Sequence, residues 1–132
     1  MERTSKPVIV SHTAVFSRCN HFRCITDDQI KALAENGGAM GIIFAPQYLS
    51  ADPAQCTLDT MVEHISYATD LVGVDHIGIG SDYDGGVKAP VVPEISQLVH
   101  LTQTMMEHGF SDDEIKKIWG GNFLRILKQN IG

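Results

Sequence analysis

Three short stretches of this chain are apolar without a polar face, and longer stretches between and after them repeat their apolar positions at helical spacing. Val8 to Ser11, Ala39 to Phe44 and His76 to Ser81 are runs of β-branched and small residues, the pattern of strands covered on both sides in a parallel sheet. Thr26-Asp-Asp-Gln29 has the form of a capping box, and Ile30, Leu33 and Ala34 continue at helical spacing until Gly37-Gly38 stops the turn. Leu58, Met61, Val62, Ile65 and Leu71 predict a helix from about Thr57 to Val72. Beyond a Gly/Pro-rich stretch from Gly85 to Pro93, Ile95, Leu98, Leu101, Met105 and Met106 form another stripe that ends at Gly109. Ser111-Asp-Asp-Glu114 is a second capping box and opens a short helix through Ile115, Ile118 and Trp119. Gly120-Gly121 is expected to interrupt it before a closing helix from Asn122 to Gln129. Thr13 to Cys24 and Pro46 to Cys56 read as loops.

Strand, helix, strand, helix, strand and then helices is the order of an α/β protein with a parallel sheet and right-handed crossovers. Three strands alone leave two uncovered edges. The pattern therefore predicts about three strands, with their helices, of a larger TIM-like barrel whose other strands lie elsewhere, residues 1–132 forming one partial barrel domain. Such a piece exposes apolar surface to water, so a homo-oligomer or a complementing segment is expected to cover it.

Composition narrows the class. The chain has 132 residues, 43% of them hydrophobic, enough for a core. A net charge of -6 and no cluster of Lys and Arg exclude nucleic acid as the expected partner. No stretch reaches the ~20 apolar residues of a membrane span, and Met1 to Lys6 does not read as a signal peptide. Cys19, Cys24 and Cys56 are an odd number without zinc-finger spacing, which points to a reducing, cytoplasmic setting. Gly37-Gly38 and Gly120-Gly121 match no dinucleotide or phosphate-binding pattern.

The chemistry-bearing residues gather after the strands. In parallel β/α proteins the loops at the carboxyl ends of the strands line the functional face. Ser11-His12 follows the first strand, and Asp82-Tyr-Asp84-Gly85 follows the third. A His at one strand end and an Asp at another suit a hydrolytic metal site, although one His is too few ligands to hold a metal. Each also has a plain structural use, His12 as a satisfied strand-end histidine and Asp82 as the cap of a turn before glycine. Another amidohydrolase, such as a deaminase, would share that pair. His64, His100 and His108 fall on helices and His76 at the opposite strand end, where surface or supporting roles are expected. None of the three cysteines has a neighbour that would lower its thiol pKa, so none is read as a nucleophile.

Several motifs together carry a resemblance. Ser11-His12-Thr-Ala, Arg23 with Ile25-Thr-Asp-Asp28-Gln-Ile, Gly38-Ala-Met-Gly-Ile-Ile-Phe44, Asp59 to His64, Leu71 through Asp82-Tyr-Asp84-Gly85, and Gly120-Gly-Asn122-Phe-Leu-Arg125 resemble, in order and spacing, the C-terminal part of the membrane (renal) dipeptidase family of zinc peptidases. The likeness runs from about Pro7 to Lys128. It implies a binuclear zinc enzyme on a (β/α)8 barrel that hydrolyses dipeptides, some members tolerating a D-residue at the C-terminal position or a β-lactam-like substrate.

By that resemblance His12 matches a ligand of one of the two zinc ions, and Arg23 matches the arginine that holds the substrate's free carboxylate. A planar guanidinium suits a carboxylate, which gives an exopeptidase a reason to carry it there. Asp82 matches the acid beside the metal-bound water, a proton carrier, and Tyr48 matches a position lining the substrate pocket. Asp84 is read as part of the turn. His21 shares the arginine loop without an assigned role. Cys24 stands where family members commonly have Asn and is expected to loosen the loop holding Arg23. A His-x-Asp pair, a bridging Glu and a further metal-site His of the family have no counterpart here. The expectation is a zinc dipeptidase whose isolated chain is incomplete and inactive. The alternative is a non-catalytic partial barrel acting as an assembly or remnant module.

Overall fold

A computed structural model describes residues 4–132, so Met1 to Arg3, part of the segment read as no leader, lie outside the described residues. Three strands form a parallel sheet in the order β1, β2, β3: β1 is Ile9–Thr13, β2 is Ala39–Ile42 and β3 is Ile77–Ile79. The central strand is the most enclosed. Met40, Ile42 and the following Ile43 and Phe44 have no exposed surface. Burial of each such side chain is worth roughly 1.5–3 kcal/mol, so β2 anchors the domain.

Helices α1 (Asp27–Glu35), α2 (Pro46–Leu49), α3 (Leu58–Val72), α4 (Leu98–Glu107), α5 (Asp112–Lys116) and α6 (Asn122–Ile131) complete the fold. Both expected capping boxes are present: Thr26 and Ser111 accept from the amides of Gln29 and Glu114, whose side chains bond back. A third opens α3, where Thr57 and Thr60 exchange the same pair of bonds. Ile30 and Leu33 of α1, Met61, Val62 and Ile65 of α3, and Leu101 and Met105 of α4 enter one core cluster with β2.

Two expectations change. Pro46–Leu49, read as loop, is a short helix with Pro at its first turn, too brief to show a period. Gly120-Gly121 does not interrupt the chain's winding: Lys117–Gly121 is a π-helical turn leading directly into α6. Asn122, only 3% exposed, explains why, because its Nδ2 donates to the carbonyls of Val74 and Ile77, both at 2.7 Å. That anchor, with Arg125 donating to Gly37 and Asp75 carbonyls at 2.9 and 2.8 Å, outweighs the poor helix propensity of two glycines.

The pairing of β1 with β2 is irregular. Val10 stands opposite Met40 and Thr13 opposite Ile42, so Ser11 and His12 together face Gly41 alone. This is a β-bulge, a device that bends a strand and re-aims a side chain. It fits because its neighbours lack side chains. A Cβ on Gly41 would stand 2.3 Å from the Ser11 carbonyl oxygen, and one on Gly80 only 1.9 Å from it and 2.9 Å from the His12 Cα.

Apolar surface is exposed in stripes. Leu124, Leu127 and Ile131 lie along α6, while Ile95, Val99 and Met106 mark the α4 region. No helix among the described residues is long and apolar enough to cross a membrane.

Candidate functional site

The four residues singled out from the sequence lie on β1 and on the segments that follow the three strands. His12 sits in the bulge of β1, half-buried, with Nδ1 2.7 Å from the Ser11 Oγ. In the tautomer that carries its proton on Nδ1 and donates it to that hydroxyl, Nε2 keeps the lone pair that a metal ligand needs. The bulge also carries His12 against Gly80, two residues before Asp82.

Asp82 follows β3 with a backbone φ of 57°, and Asp84 has 64°. This left-handed region is one that Asp tolerates better than most residues. The Asp82 carbonyl accepts the Gly85 amide at 3.0 Å, so its backbone does make the turn that its sequence context suggests. Its carboxylate is not consumed by that turn and has no hydrogen-bond partner among the described residues. Oδ1 lies where a Cβ on Gly85 would stand, at 2.0 Å, so glycine at 85 leaves room for the carboxylate. Tyr83 secures the loop beyond: its hydroxyl donates to the Val92 carbonyl at 2.8 Å and its ring meets Phe44 edge-on at 5.3 Å.

Arg23 and Tyr48 form a pair. The Arg23 guanidinium carbon lies 5.4 Å from the centre of the Tyr48 ring, a cation–π contact. Arg23 is exposed, and its backbone is held twice: Thr13 Oγ1 donates to its carbonyl at 3.0 Å, and its amide donates to His21 Nδ1 at 3.1 Å. Since Thr13 adjoins His12, the arginine loop is tied to the strand end that bears the candidate metal ligand. His21 in turn packs its ring on Tyr48 at 4.6 Å and on Phe22 at 4.5 Å.

Thr13 and His21 are thus supports the sequence did not assign. A His two residues before the arginine was the available signal for one. Nothing in the pattern marks Thr13 beyond a polar residue at a strand end.

Cys24 does not loosen this loop. It is 6% exposed and its Sγ donates to the Tyr48 carbonyl at 3.3 Å, linking the loop after β1 to the loop after β2. Burial, with the nearby Cys19 adding to it, pushes the Cys24 thiol up to about 11, and burial pushes Cys56 to about 11 as well. All three cysteines are free, Cys19 and Cys24 buried and Cys56 half-buried, and burial raises each thiol's pKa, which disfavours the reactive thiolate.

Three of the other four histidines have structural partners. His76 Nδ1 is 2.7 Å from the Gly38 carbonyl at the opposite end of the sheet, and His108 Nε2 is 2.8 Å from Asp59. His64 is buried in α3 and bonds the backbones of Val15 and Leu49. Among the described residues no group of three or more His, Cys, Asp or Glu side chains could hold a metal ion. His12 offers one nitrogen, so the described residues do not by themselves fit a metal centre.

A three-stranded parallel sheet with its connecting helices, bearing a histidine, an aspartate and an arginine on or after its strands, fits a segment of a β/α barrel. A sequence model of the membrane dipeptidase family, peptidase family M19, matches residues 1–131, and the chain belongs to that family. It is 38% identical over 125 residues to the dipeptidase ataJ of Aspergillus terreus, covering 93% of this chain and 30% of that protein. Likeness to the dipeptidase aclJ of Aspergillus oryzae is 35% over 126 residues, 94% of this chain and 30% of the relative.

Among solved structures, the dipeptidase AC, a metallo peptidase of family M19, superposes with a TM-score of 0.88 at 26% identity, covering 96% of this chain and 38% of that one. A metallo peptidase from Rhodobacter sphaeroides, liganded with a phosphinate mimic of the dipeptide L-Ala-D-Ala, gives 0.86 at 26% identity over 94% of this chain and 36% of that one. The fold is therefore part of the family's barrel, and the chain spans about a third of the length of the relatives it matches. Metal dependence belongs to the family.

Proposed function

We propose that this chain supplies the carboxylate-gripping part of a zinc dipeptidase site, whose remaining ligands belong to the rest of the barrel. The observation that carries this reading is the Arg23–Tyr48 pair, tied through Thr13 to the strand end of His12. A dipeptide has one free carboxylate at a fixed distance from its only peptide bond. A guanidinium held beside the reacting centre therefore selects dipeptides over longer chains and sets the scissile bond in place.

In this reading Arg23 binds the carboxylate, Tyr48 limits where the guanidinium swings and lines the pocket, and Asp82 takes and returns a proton at the end of β3. His12 is one ligand of a two-zinc centre. Because one imidazole does not make such a centre, no catalytic step is derived through it, and the chain alone is proposed to be inactive. The three free thiols fit a cytoplasmic setting.

A second reading, a non-catalytic partial barrel that associates with another chain, draws on the exposed Leu124, Leu127 and Ile131 stripe. The two readings part on ligand chemistry. Nuclear magnetic resonance titration of the chain with L-Ala-D-Ala and with its C-terminal amide tests them. Binding of the free acid alone, lost in Arg23→Ala, is expected. Equal binding of acid and amide refutes the carboxylate grip.

A further inference from the structure

We infer that His64 is the positioning residue of the carboxylate grip: one buried imidazole ties the loop carrying Arg23 to the loop carrying Tyr48. The inference rests on the reading of those two residues as the grip. His64 is 1% exposed, and both of its ring nitrogens are engaged. Nδ1 accepts the Val15 amide at 3.1 Å, and Nε2 donates to the Leu49 carbonyl at 2.9 Å. A nitrogen that accepts from a backbone amide carries no proton, so the ring is neutral and protonated at Nε2.

Both backbone partners are strategic. Val15 stands at the base of the arginine loop, which closes where the Phe16 amide donates to the Ile25 carbonyl at 2.9 Å and the Ile25 amide to the Ala14 carbonyl at 3.0 Å. Leu49 directly follows Tyr48. No other side chain among the described residues bonds the backbone of both loops. The Cys24 thiol joins the loops at a second point, near the grip itself. Together the two ties fix the angle at which Arg23 meets the Tyr48 ring.

A protonated Nδ1 would present a donor to the Val15 donor, and the tie would open. Burial holds His64 below the ordinary histidine range. The charged groups facing it are Arg18 from the arginine loop and Glu63 from α3, which pair with each other, and α2 brings only Tyr48 as a titratable group. Carboxylate affinity should thus weaken on the acid side of the usual histidine pKa, in step with His64.

The test is a resonance titration of isotope-labelled chain from about pH 8 to about pH 5, with L-Ala-D-Ala as the probe. The Arg23 and Tyr48 side-chain signals are expected to move with the midpoint of the His64 ring, and dipeptide affinity to fall about tenfold across it, the fold-change for about 1.4 kcal/mol. The Trp119 indole, which donates to Thr102 Oγ1 at 2.8 Å, should stay still. His64→Asn keeps an acceptor near Nδ1, and His64→Gln keeps a donor near Nε2. Each should abolish the pH dependence, the first preserving the Arg23 loop and the second Tyr48.

Insensitivity of Arg23 and Tyr48 to His64, or movement of Trp119 with the same midpoint, overturns the inference, and the unmodified chain decides this even if neither variant folds. Coupling of both residues to His64 without dipeptide binding at pH 8 upholds the tie and instead overturns the carboxylate reading.

Discussion

Replacing Gly80 by alanine tests whether the bulge that aims His12 depends on the bare backbone of Gly80, directly after β3. The added Cβ would stand 1.9 Å from the Ser11 carbonyl oxygen and 2.9 Å from both the Ser11 carbonyl carbon and the His12 Cα. A carbon–oxygen contact settles near ~3.3 Å, so the strands have to part by about 1.4 Å at this point. The obstacle is backbone on a hydrogen-bonded strand, so relief by side-chain rotation is closed off. Overpacking costs about 1–3 kcal/mol, and a backbone obstacle places it near ~3. Alanine returns about 0.4–1 kcal/mol by restricting the unfolded chain. The net loss is about 2 kcal/mol, or a fall of roughly 1 M in the urea midpoint at an m of ~2 kcal/mol/M.

Urea unfolding followed by circular dichroism reads it, with Gly120→Ala as the control. Nothing lies within 4 Å of a Cβ on Gly120, which sits in a helical turn, so that change should be neutral to stabilising by up to about 1 kcal/mol. Gly80→Ala as stable as the unmodified chain would refute the argument that glycine is required for the Ser11–His12 bulge.

Asn122→Ala should cost about 2 kcal/mol or more, because it leaves the Val74 and Ile77 carbonyls without their shared buried donor; thermal unfolding measures this. Acid should destabilise the chain in two steps. His64 has its folded pKa lowered by burial, so the unfolded chain takes the proton first, and its contribution, full above about 6.5, is lost as pH falls below that. Asp27 is held low by hydrogen bonds from Tyr67 and Ser17, and Asp75 by Lys117, so their contributions fade only below about 3.9. Melting temperature against pH should show both steps, and His64→Gln should erase the upper one. Tyr48→Leu should weaken L-Ala-D-Ala binding severalfold, by about 0.5–1 kcal/mol, with the loss of the cation–π contact, as read by titration.

The legible features were those written in local chemistry. Thr26-Gln29 and Ser111-Glu114 announce helix starts because capping needs those side chains at that spacing. The strands and their parallel order follow from apolar runs separated by helices. Features decided by distant contacts were less visible. The π-turn through Gly120-Gly121 exists because Asn122 and Arg125 bond carbonyls far away in sequence. The β1 bulge left a trace in Gly41 and Gly80, since glycine inside a strand marks a close backbone approach, but the trace does not say which strand is approached. At the site, position after an apolar strand is what singles out His12 and Asp82, whereas Arg23 and Tyr48 stand out only through the family resemblance. Their supports, Thr13, His21 and Cys24, act through backbone bonds that residue type does not encode.

Zinc content and L-Ala-D-Ala hydrolysis, measured on the same size-fractionated chain, test the central claim most directly. A chain that supplies one part of a shared site should hold zinc weakly and show no turnover. Stoichiometric zinc with turnover by the monomeric chain would contradict the account, because it would place a complete catalytic site within these residues.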